Sequence, residues 1–151
     1  MTFMKLKDKV ALITGGGRGI GKAIAMHYAR EGAKLALCAR TGAELDQTVK
    51  ELRALNGEVE GWSCDVSLEE PVKEFVAGVR KRFGRIDLLV NNAGVRKETE
   101  FANLQYGEWR EIVATILDAA YLCSHAALPH LVASGSGAIV NIGGLSSWTG
   151  A

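Results

Sequence analysis

The sequence of 151 residues predicts an α/β fold, a doubly wound parallel sheet of five strands with helices on both faces. Short β-rich runs alternate with helical patterns, and this order calls for a parallel sheet covered on both sides. The runs VALI, LALC, IDLLV and AIV are almost unbroken apolar segments, as strands buried on both faces should be. The first of them leads directly into a glycine-rich segment, TGGGRGIG, at residues 14–21.

The first two strand–helix units follow one another closely. KVALIT forms a strand at 9–14, and a helix over 20–32 ends at Gly32, a frequent residue just past a helix. The predicted inward face of this helix consists of Ile20, Ala23, Ile24, His27 and Tyr28. A second strand is expected at 34–40 and a second helix over 42–56, with an apolar stripe of Leu45, Val49 and Leu52.

The third unit begins with the strand EVEGWSCDV at 58–66. Ser67 is the expected N-cap of the next helix, because Glu70 stands three residues later as a capping box requires. The helix ends at Gly84. Its predicted inward face consists of Val72, Phe75, Val76, Val79 and Phe83.

The last predicted elements are two strands with a long helical region between them. RIDLLVNNAG at 85–94 is a strand that runs into a turn, and GAIVNIG at 137–143 is the fifth strand, expected at an edge of the sheet. The helical region covers roughly 105–133. One broad apolar face is expected to cover the sheet and contains Trp109, Ile112, Val113, Ile116, Leu117 and Tyr121.

Charge and cysteine content exclude several classes of function. The net charge is +1, with 18 basic and 17 acidic residues interspersed, which argues against nucleic-acid binding. We predict that no apolar run is long enough to span a bilayer. The first residues lack the apolar core of a signal peptide. No metal site is predicted, and the dispersed cysteines indicate buried, reduced thiols in a cytoplasmic protein. They are Cys38, Cys64 and Cys123.

The glycine-rich segment predicts a nucleotide site. Glycines let the chain turn tightly and approach a phosphate, and the first turn of the next helix offers free N–H groups. The spacing Gly15-xxx-Gly19-x-Gly21, with Gly17 between, is neither GxGxxG nor a P-loop. A plain glycine turn is the alternative. The place of the glycine-rich segment, after the first strand of a chain in which strands and helices alternate, favours a nucleotide site.

The end of the second strand indicates which dinucleotide binds. Where an acidic residue would hold the ribose 2′-hydroxyl of NAD, the chain reads Cys-Ala-Arg40-Thr41. A guanidinium suits a 2′-phosphate, and Arg18 in the glycine segment could add a second positive charge. Ordinary solvated arginines are the alternative. We favour NADP, with Arg40 and Thr41 at its site, because the acid is missing where the arginine stands.

Four motifs carry a resemblance to a known family. TGGGRGIG (14–21), CDV (64–66), NNAG (91–94) and GAIVNI (137–142) occur in this order and at similar intervals in the short-chain dehydrogenase/reductase family. The resemblance covers essentially the whole chain and implies a Rossmann-like fold. The arginine at the end of the second strand resembles the NADP-preferring branch of that family.

The resemblance also implies a division of the cofactor site. The pyrophosphate and its ribose would be held by Gly15, Gly17, Arg18, Ile20 and Gly21. Adenine would contact Asp65 and Val66, although Asp65 could also cap the next helix. The cofactor beside the fourth strand would contact Asn92, Ala93 and Gly94, for which a plain turn is the alternative.

Catalytic positions depart from the pattern of the family. The resemblance places an asparagine seven residues after Trp109, where this chain has Ile116, and a serine three residues after Asn141, where it has Gly144. Ser146 is the nearest replacement for that serine. The family's YxxxK motif, whose tyrosine exchanges the proton, would lie beyond the fifth strand and is not among the 151 residues.

These observations lead to one preferred function and two alternatives. The chain is expected to be one dinucleotide-binding domain, an incomplete portion of a longer domain, and inactive by itself because the pattern stops within a functional segment. The preferred function is an NADP(H)-dependent oxidoreductase that acts on a small carbonyl or alcohol substrate. The alternatives are an NADP-binding protein with little or no catalysis and a nucleotide-binding module that serves assembly. The resemblance implies a homo-oligomer formed through the long helix.

Overall fold

A parallel sheet of five strands lies at the centre of the computed structural model, which describes residues 4–55 and 57–144. The order is β3-β2-β1-β4-β5, so that β5 lies at an edge as predicted, and all neighbours are parallel. The strands are β1 (Val10–Thr14), β2 (Lys34–Ala39), β3 (Val59–Ser63), β4 (Leu88–Asn91) and β5 (Ala138–Asn141). The predicted fold class is confirmed. Each strand is shorter than predicted because its flanking residues turn away into the connections.

Helices cover both faces of the sheet. They are α1 (Gly19–Arg30), α2 (Gly42–Ala54), α3 (Glu69–Phe83), α4 (Tyr106–Val113) and α5 (Ala119–Ala133). A π-helical segment, Ala114–Asp118, joins α4 to α5, and a 3-10 turn at Phe101–Asn103 precedes α4. The long helix of the sequence prediction is therefore continuous, but it contains an irregular turn that periodicity alone does not reveal.

The core consists of one apolar layer on each side of the sheet. Along β1, Val10 and Leu12 pack with α3 and α5, whereas Ala11 and Ile13 pack with α1 and α2. All four side chains are fully buried. The predicted stripe of α2 is buried, and so is that of α3 except for Phe83, which is half-buried.

The inward face of α1 differs from the predicted one. Ile20 is 63% exposed, and Ala23 and His27 are also exposed, whereas Gly21 and Ala25 are buried. This helix approaches the glycine loop and the sheet closely, so the smallest residues occupy the inward positions. The predicted residues that do pack against the core are Ile24 and Tyr28.

The predicted capping box at the start of α3 is wrong. Leu68 is the N-cap residue, and it makes no side-chain cap hydrogen bond. The Ser67 hydroxyl instead donates to Oδ1 of Asp65 at 2.7 Å, and the Ser67 N–H donates to the same oxygen at 3.0 Å. Glu70 accepts from Lys73. The Asp65 carboxylate, two residues earlier in the turn, is a strong local acceptor, and the Ser67 hydroxyl bonds to it instead of capping the helix.

The inward face of the long helix is also made mainly of small residues. Every fourth side chain is buried, namely Thr115, Ala119, Cys123, Ala127 and Leu131. Four residues of the predicted covering face lie outward, with 48%, 46%, 67% and 64% exposure for Trp109, Ile116, Leu117 and Tyr121, whereas Ile112 and Val113 are half-buried. Small side chains let the helix approach the sheet and α3, so the larger apolar residues remain on the outer face.

The continuous helix Tyr106–Ala133 has the length and apolar composition of a membrane-spanning segment, contrary to the sequence prediction. Length and composition are the only grounds for that assignment, and a helix that covers a protein core meets the same criteria. The α5 part of this helix packs against β4 and α3 through its buried side chains.

Candidate functional site

A cleft of about 310 Å³ opens at the carboxyl ends of β1, β2 and β4. The sheet runs from β1 to β2 on one side and from β1 to β4 on the other, and open α/β sheets bind ligands where their strand order reverses in this way. All the predicted cofactor residues except Gly21 line this cleft: Gly15, Gly17, Arg18, Gly19, Ile20, Arg40, Thr41, Asp65, Val66, Asn92, Ala93 and Gly94.

Gly21 and Gly15 allow α1 to start close to the end of β1. A Cβ atom on Gly21 would clash with the carbonyl oxygen of Gly15 and lie 2.5 Å from Nδ2 of Asn92. Gly15 itself has a φ of +64°, in the left-handed region that favours glycine. The glycine spacing is therefore required by close backbone packing as well as by the shape of the turn.

The amino end of α1 points into the cleft without a capping side chain. Arg18 occupies the N-cap position in an extended conformation and makes no side-chain cap hydrogen bond. The first turn contains no acidic residue. Unpaired N–H groups and the positive end of the helix dipole make this position suitable for a phosphate.

Thr14 and Asn92 join the glycine loop to the turn after β4. The Thr14 hydroxyl oxygen accepts from the backbone N–H groups of Asn92 at 3.0 Å and Ala93 at 2.9 Å. The side-chain amide of Asn92 donates to the carbonyl oxygens of Thr14 at 2.9 Å and Gly15 at 3.2 Å. These bonds fix the cleft wall in which the NNAG motif lies.

Asn91 connects β4 to two further elements, α5 and β5. Its side-chain amide donates to Ser124 in α5 at 3.1 Å and to Oδ1 of Asn141 in β5 at 2.8 Å. The backbone carbonyl of Asn91 accepts from the N–H of Ile142 at 2.9 Å. The first asparagine of NNAG therefore holds the strands together, whereas the second contacts the loop.

Two arginines line the cleft in different environments. The exposed Arg18 pairs with Glu44 of α2 at 3.3 Å. Arg40 is exposed at the end of β2 and forms no ion pair within 4 Å in the part of the chain that is described. The carboxylates of Asp65 and Glu111 lie near enough to interact with its charge.

Asp65 stands at the carboxyl end of β3 and is ionised over the neutral range. Partial burial raises the pKa of this carboxyl, but the two hydrogen bonds from Ser67 and the charge of Arg40 outweigh burial and hold the pKa below its usual value. The side chain both lines the cleft and organises the turn into α3. Asp65 makes no side-chain cap hydrogen bond to α3, so its predicted capping role is wrong, and its contact with adenine stays a prediction.

Five residues that the sequence analysis did not assign to the site also line the cleft. They are Cys38, Ala39, Glu44, Cys64 and Thr115. Thr115 lies in the π-helical segment and is 6% exposed, beside the position where the family pattern directed attention to Ile116. The sequence signal for Thr115 was a hydroxyl side chain one position before Ile116. A regular helical period places Thr115 on a different face from Ile116, so this signal was missed.

The predicted catalytic positions agree less well with the structure than the predicted cofactor residues do. Ile116 is 46% exposed, so the expectation that it packs inside the helix layer is wrong. The π-helical turn directs Thr115 inward instead. Gly144 is an exposed residue just beyond β5. Ser146 lies outside the described residues, and its role stays a prediction.

Comparison with known proteins relates the chain to dehydrogenases and reductases. The family model for short chain dehydrogenase matches residues 9–150. The chain is 34% identical over 139 residues to the 3-oxoacyl-[acyl-carrier-protein] reductase FabG of Thermotoga maritima and 35% identical over 147 residues to a 3alpha-hydroxysteroid dehydrogenase of Mediterraneibacter gnavus. These alignments cover 92% and 96% of the chain but 56% and 59% of the relatives. The chain thus spans little more than half their length.

A solved structure gives the same result for the fold. A metagenomic short-chain oxidoreductase in complex with NADP is 38% identical and superposes with a TM-score of 0.88. The superposition covers 93% of this chain and 64% of the other.

Proposed function

The chain belongs to the short-chain dehydrogenase family, and we propose that it binds NADP(H) in the cleft beside the glycine loop. We further propose that the protein is an oxidoreductase acting on a small carbonyl or alcohol. The observation that carries the proposal is Arg40 at the end of β2, where a dinucleotide fold specific for NAD has an acid; Arg40 forms no ion pair within 4 Å among the described residues.

The residues around the cleft suit a dinucleotide. The α1 amino end and the glycine loop would hold the pyrophosphate, since a side chain at Gly15 or Gly21 would fill the space between α1 and the β4 turn. Asp65 and Val66 would border the adenine, and the NNAG turn would lie beside the rest of the cofactor. The volume of the cleft is in the range of small-molecule sites.

Arg40 would bind the 2′-phosphate that distinguishes NADP from NAD. A guanidinium can make two charge-assisted hydrogen bonds to a phosphate, and this one is not occupied by a close carboxylate in the described residues. Arg18 is paired with Glu44 and would serve as a secondary charge. A related protein of known structure was solved in complex with NADP, which supports the same choice.

When bound, a nicotinamide dinucleotide gives or takes a hydride at a carbonyl or alcohol carbon. The residues of this chain would bind and orient that group, with Thr115 presenting a buried hydroxyl to the cleft. The names of two relatives, a 3-oxoacyl reductase and a hydroxysteroid dehydrogenase, support a carbonyl or alcohol as the substrate class.

Cofactor binding with little or no catalysis is the second candidate. Ile116 and Gly144 stand where the family resemblance implies an asparagine and a serine, and neither side chain can donate or accept a proton. A binding protein of this kind would bind NADPH with the same affinity as the proposed oxidoreductase, but it would not turn over a substrate.

A homo-oligomer is also proposed, through an outer apolar surface on the long helix. We call this surface the outer helix face, and it consists of Leu117, Tyr121, Leu128 and Val132. These residues are 67%, 64%, 50% and 72% exposed and recur at helical spacing. Contiguous exposed apolar residues of this kind are typical of interfaces.

Calorimetric titration with 2′,5′-ADP and 5′-AMP tests the cofactor site without the nicotinamide. Tighter binding of 2′,5′-ADP supports the proposal, and equal binding contradicts the 2′-phosphate site. If neither ligand nor NADPH binds, a role in assembly is favoured. Loss of NADPH absorbance with a 3-oxoacyl thioester or a steroid ketone would favour the oxidoreductase over the binding protein.

A further inference from the structure

Glu44 places a carboxylate on the wall of the cleft, beside the arginines. It lies in the first turn of α2 and lines the cleft together with Arg18, Arg40 and Thr41. Nη1 of Arg18 lies 3.3 Å from Oε1 of Glu44 and donates a hydrogen bond to it. One of the two guanidinium groups that line the cleft is therefore already bound to a carboxylate of the chain itself.

The backbone that carries Glu44 is fixed beside the glycine loop. The hydroxyl of Thr48, one turn further along α2, donates to the carbonyl oxygen of Gly17 at 2.7 Å. A Cβ atom on Gly17 would lie 3.2 Å from the backbone nitrogen of Leu45, so α2 and the loop are in close contact. The first turn of α2 cannot withdraw from the cleft without breaking these contacts, and only a change of side-chain rotamer can move the Glu44 carboxylate.

The ion pair between Arg18 and Glu44 is exposed and opens easily. The two side chains are 80% and 44% exposed, and exposed pairs of this kind are weak because water competes for both charges. A phosphate monoester carries about two negative charges at neutral pH and can accept two parallel hydrogen bonds from one guanidinium. A phosphate that enters this part of the cleft would therefore draw Arg18 away from Glu44.

The charge of Glu44 has no second partner among residues 4–55 and 57–144. Lys22 lies with Glu44 beside a neighbouring pocket, but its ammonium group pairs with Glu51 at 2.6 Å. When Arg18 turns to a ligand, the Glu44 carboxylate is left uncompensated at the cleft wall. An uncompensated carboxylate repels a phosphate, whereas it does not repel a neutral ribose hydroxyl.

We propose that Glu44 is a specificity-determining residue that narrows the difference in affinity between NADP(H) and NAD(H). Its carboxylate competes with the 2′-phosphate for Arg18 and repels that phosphate once Arg18 has turned away. This inference rests on the proposed NADP(H) site and deepens it. Glu44 acts in the opposite direction to Arg40, because its charge lowers the affinity for the phosphorylated cofactor.

Stabilisation of α2 is the competing explanation for Glu44. A carboxylate in the first turn of a helix interacts favourably with the positive end of the helix dipole, and the N-cap residue Thr41 makes no side-chain cap hydrogen bond. A role confined to the helix would change the free energy of unfolding, which chemical denaturation measures. It would not change the ratio of the affinities for two ligands that differ only in a 2′-phosphate.

Calorimetric titration of the wild type, Glu44→Gln and Asp46→Asn with 2′,5′-ADP and 5′-AMP tests the inference. Glutamine keeps the length of the side chain and removes its charge. We expect Glu44→Gln to bind 2′,5′-ADP about threefold to tenfold more tightly than the wild type does and to leave the affinity for 5′-AMP unchanged. Asp46→Asn removes the same charge from an exposed position of α2 outside the cleft and should change neither affinity.

Arg18→Gln, alone and combined with Glu44→Gln, tests the competition itself. The gain in 2′,5′-ADP affinity from Glu44→Gln should be smaller when Arg18 has been replaced, because the two residues then no longer share a partner. An equal gain in both backgrounds would contradict the competition for Arg18. Unchanged or weaker binding of 2′,5′-ADP by Glu44→Gln, or an equal gain for 5′-AMP, would overturn the inference.

The wild-type titration separates this inference from the proposed function. Equal binding of 2′,5′-ADP and 5′-AMP by the wild type would contradict the 2′-phosphate site, and the inference about Glu44 would fall with it. A wild type that prefers 2′,5′-ADP, together with a Glu44→Gln variant that shows the same preference, would support the proposed site and overturn only the role of Glu44.

Discussion

The hydroxyl oxygen of Thr14 lies 3.0 Å from the backbone nitrogen of Asn92 and joins the ends of β1 and β4 beneath the cleft. Thr14 is only 2% exposed, and its hydroxyl oxygen also accepts from the N–H of Ala93. The Thr14 side chain thus links the glycine loop to the NNAG turn, which is more than seventy residues away in the sequence, and the Asn92 side chain adds two further bonds to the loop. This contact connects the stability of the fold with the shape of the site.

Replacement of Thr14 by valine keeps the shape of the side chain and removes this acceptor. We expect Thr14→Val to lower the free energy of unfolding by about 1–3 kcal/mol, because two backbone N–H groups lose their partner in a partly buried place. Chemical denaturation measures the change. Thr99→Val, at an exposed position, is the control, and an equal loss in both variants would show that the Thr14 contact is unimportant.

Gly21→Ala tests the close approach of α1 to the glycine loop. The new Cβ would overlap the carbonyl oxygen of Gly15, so α1 must shift and the variant should lose about 1–3 kcal/mol of stability. NADPH affinity should fall as well, as calorimetry would measure. Gly107→Ala is the control, since a Cβ there meets open space and alanine favours a helix. Unchanged stability and affinity in Gly21→Ala would contradict this description of the loop.

Asp87 should make stability depend on acid pH. Burial raises the pKa of this carboxyl, but hydrogen bonds from Arg85 and the N–H of Val10, with the charges of Arg85 and Lys9, hold the pKa below its usual value. A depressed folded-state pKa means that the contribution is complete above the unfolded-state pKa of about 4 and is lost as pH falls below it.

The corresponding variant is Asp87→Asn. It should be less stable than the wild type at neutral pH, and the difference should shrink as pH falls below about 4. Thermal or chemical unfolding at several pH values measures it. Asp46→Asn, at an exposed position of α2, is the control. A difference that stays constant down to the lowest pH would disprove the role of the ionised carboxylate.

Leu117→Glu tests the outer helix face as an interface. Leu117 is 67% exposed in the single chain, and a charge buried between subunits would prevent association. We expect a lower molar mass by light scattering than for the wild type. Leu55→Glu is the control, since Leu55 is 53% exposed and follows α2, which packs on the other side of the sheet. A wild-type monomer, or an unchanged mass in Leu117→Glu, would contradict the oligomer.

The strands and the cleft could be predicted because their signals are local. The run from Val10 to Thr14 is apolar on both faces of the sheet, and TGGGRGIG follows it directly, so sequence order alone placed the loop at a strand end. The NNAG turn was assigned to the same edge because parallel strands end together. The structure brings Gly15 and Asn92 into contact there.

The faces of α1 and α5 could not be predicted by the same means. Periodicity gives most weight to large apolar side chains and selected Ile20 and Leu117, both of which are exposed. The inward positions are held by Gly21, Ala25 and Ala119, because these helices approach the sheet closely. The π-helical turn changed the phase of the long helix and directed Thr115 into the cleft. The spacing of apolar residues along the sequence reports neither how closely a helix approaches the sheet nor where a π-helical turn occurs.

The most direct test of the central claim is the dissociation constant of NADPH and of NADH for Arg40→Asp, measured by calorimetry beside Arg30→Asp. Both variants change the same charge, but Arg30 ends α1 away from the cleft. Loss of a charged hydrogen bond predicts that Arg40→Asp raises the dissociation constant of NADPH by about tenfold to a hundredfold and leaves that of NADH unchanged or lower. Arg30→Asp should change neither. Equal weakening of both cofactors by Arg40→Asp, or no weakening of NADPH, would contradict a 2′-phosphate site at Arg40.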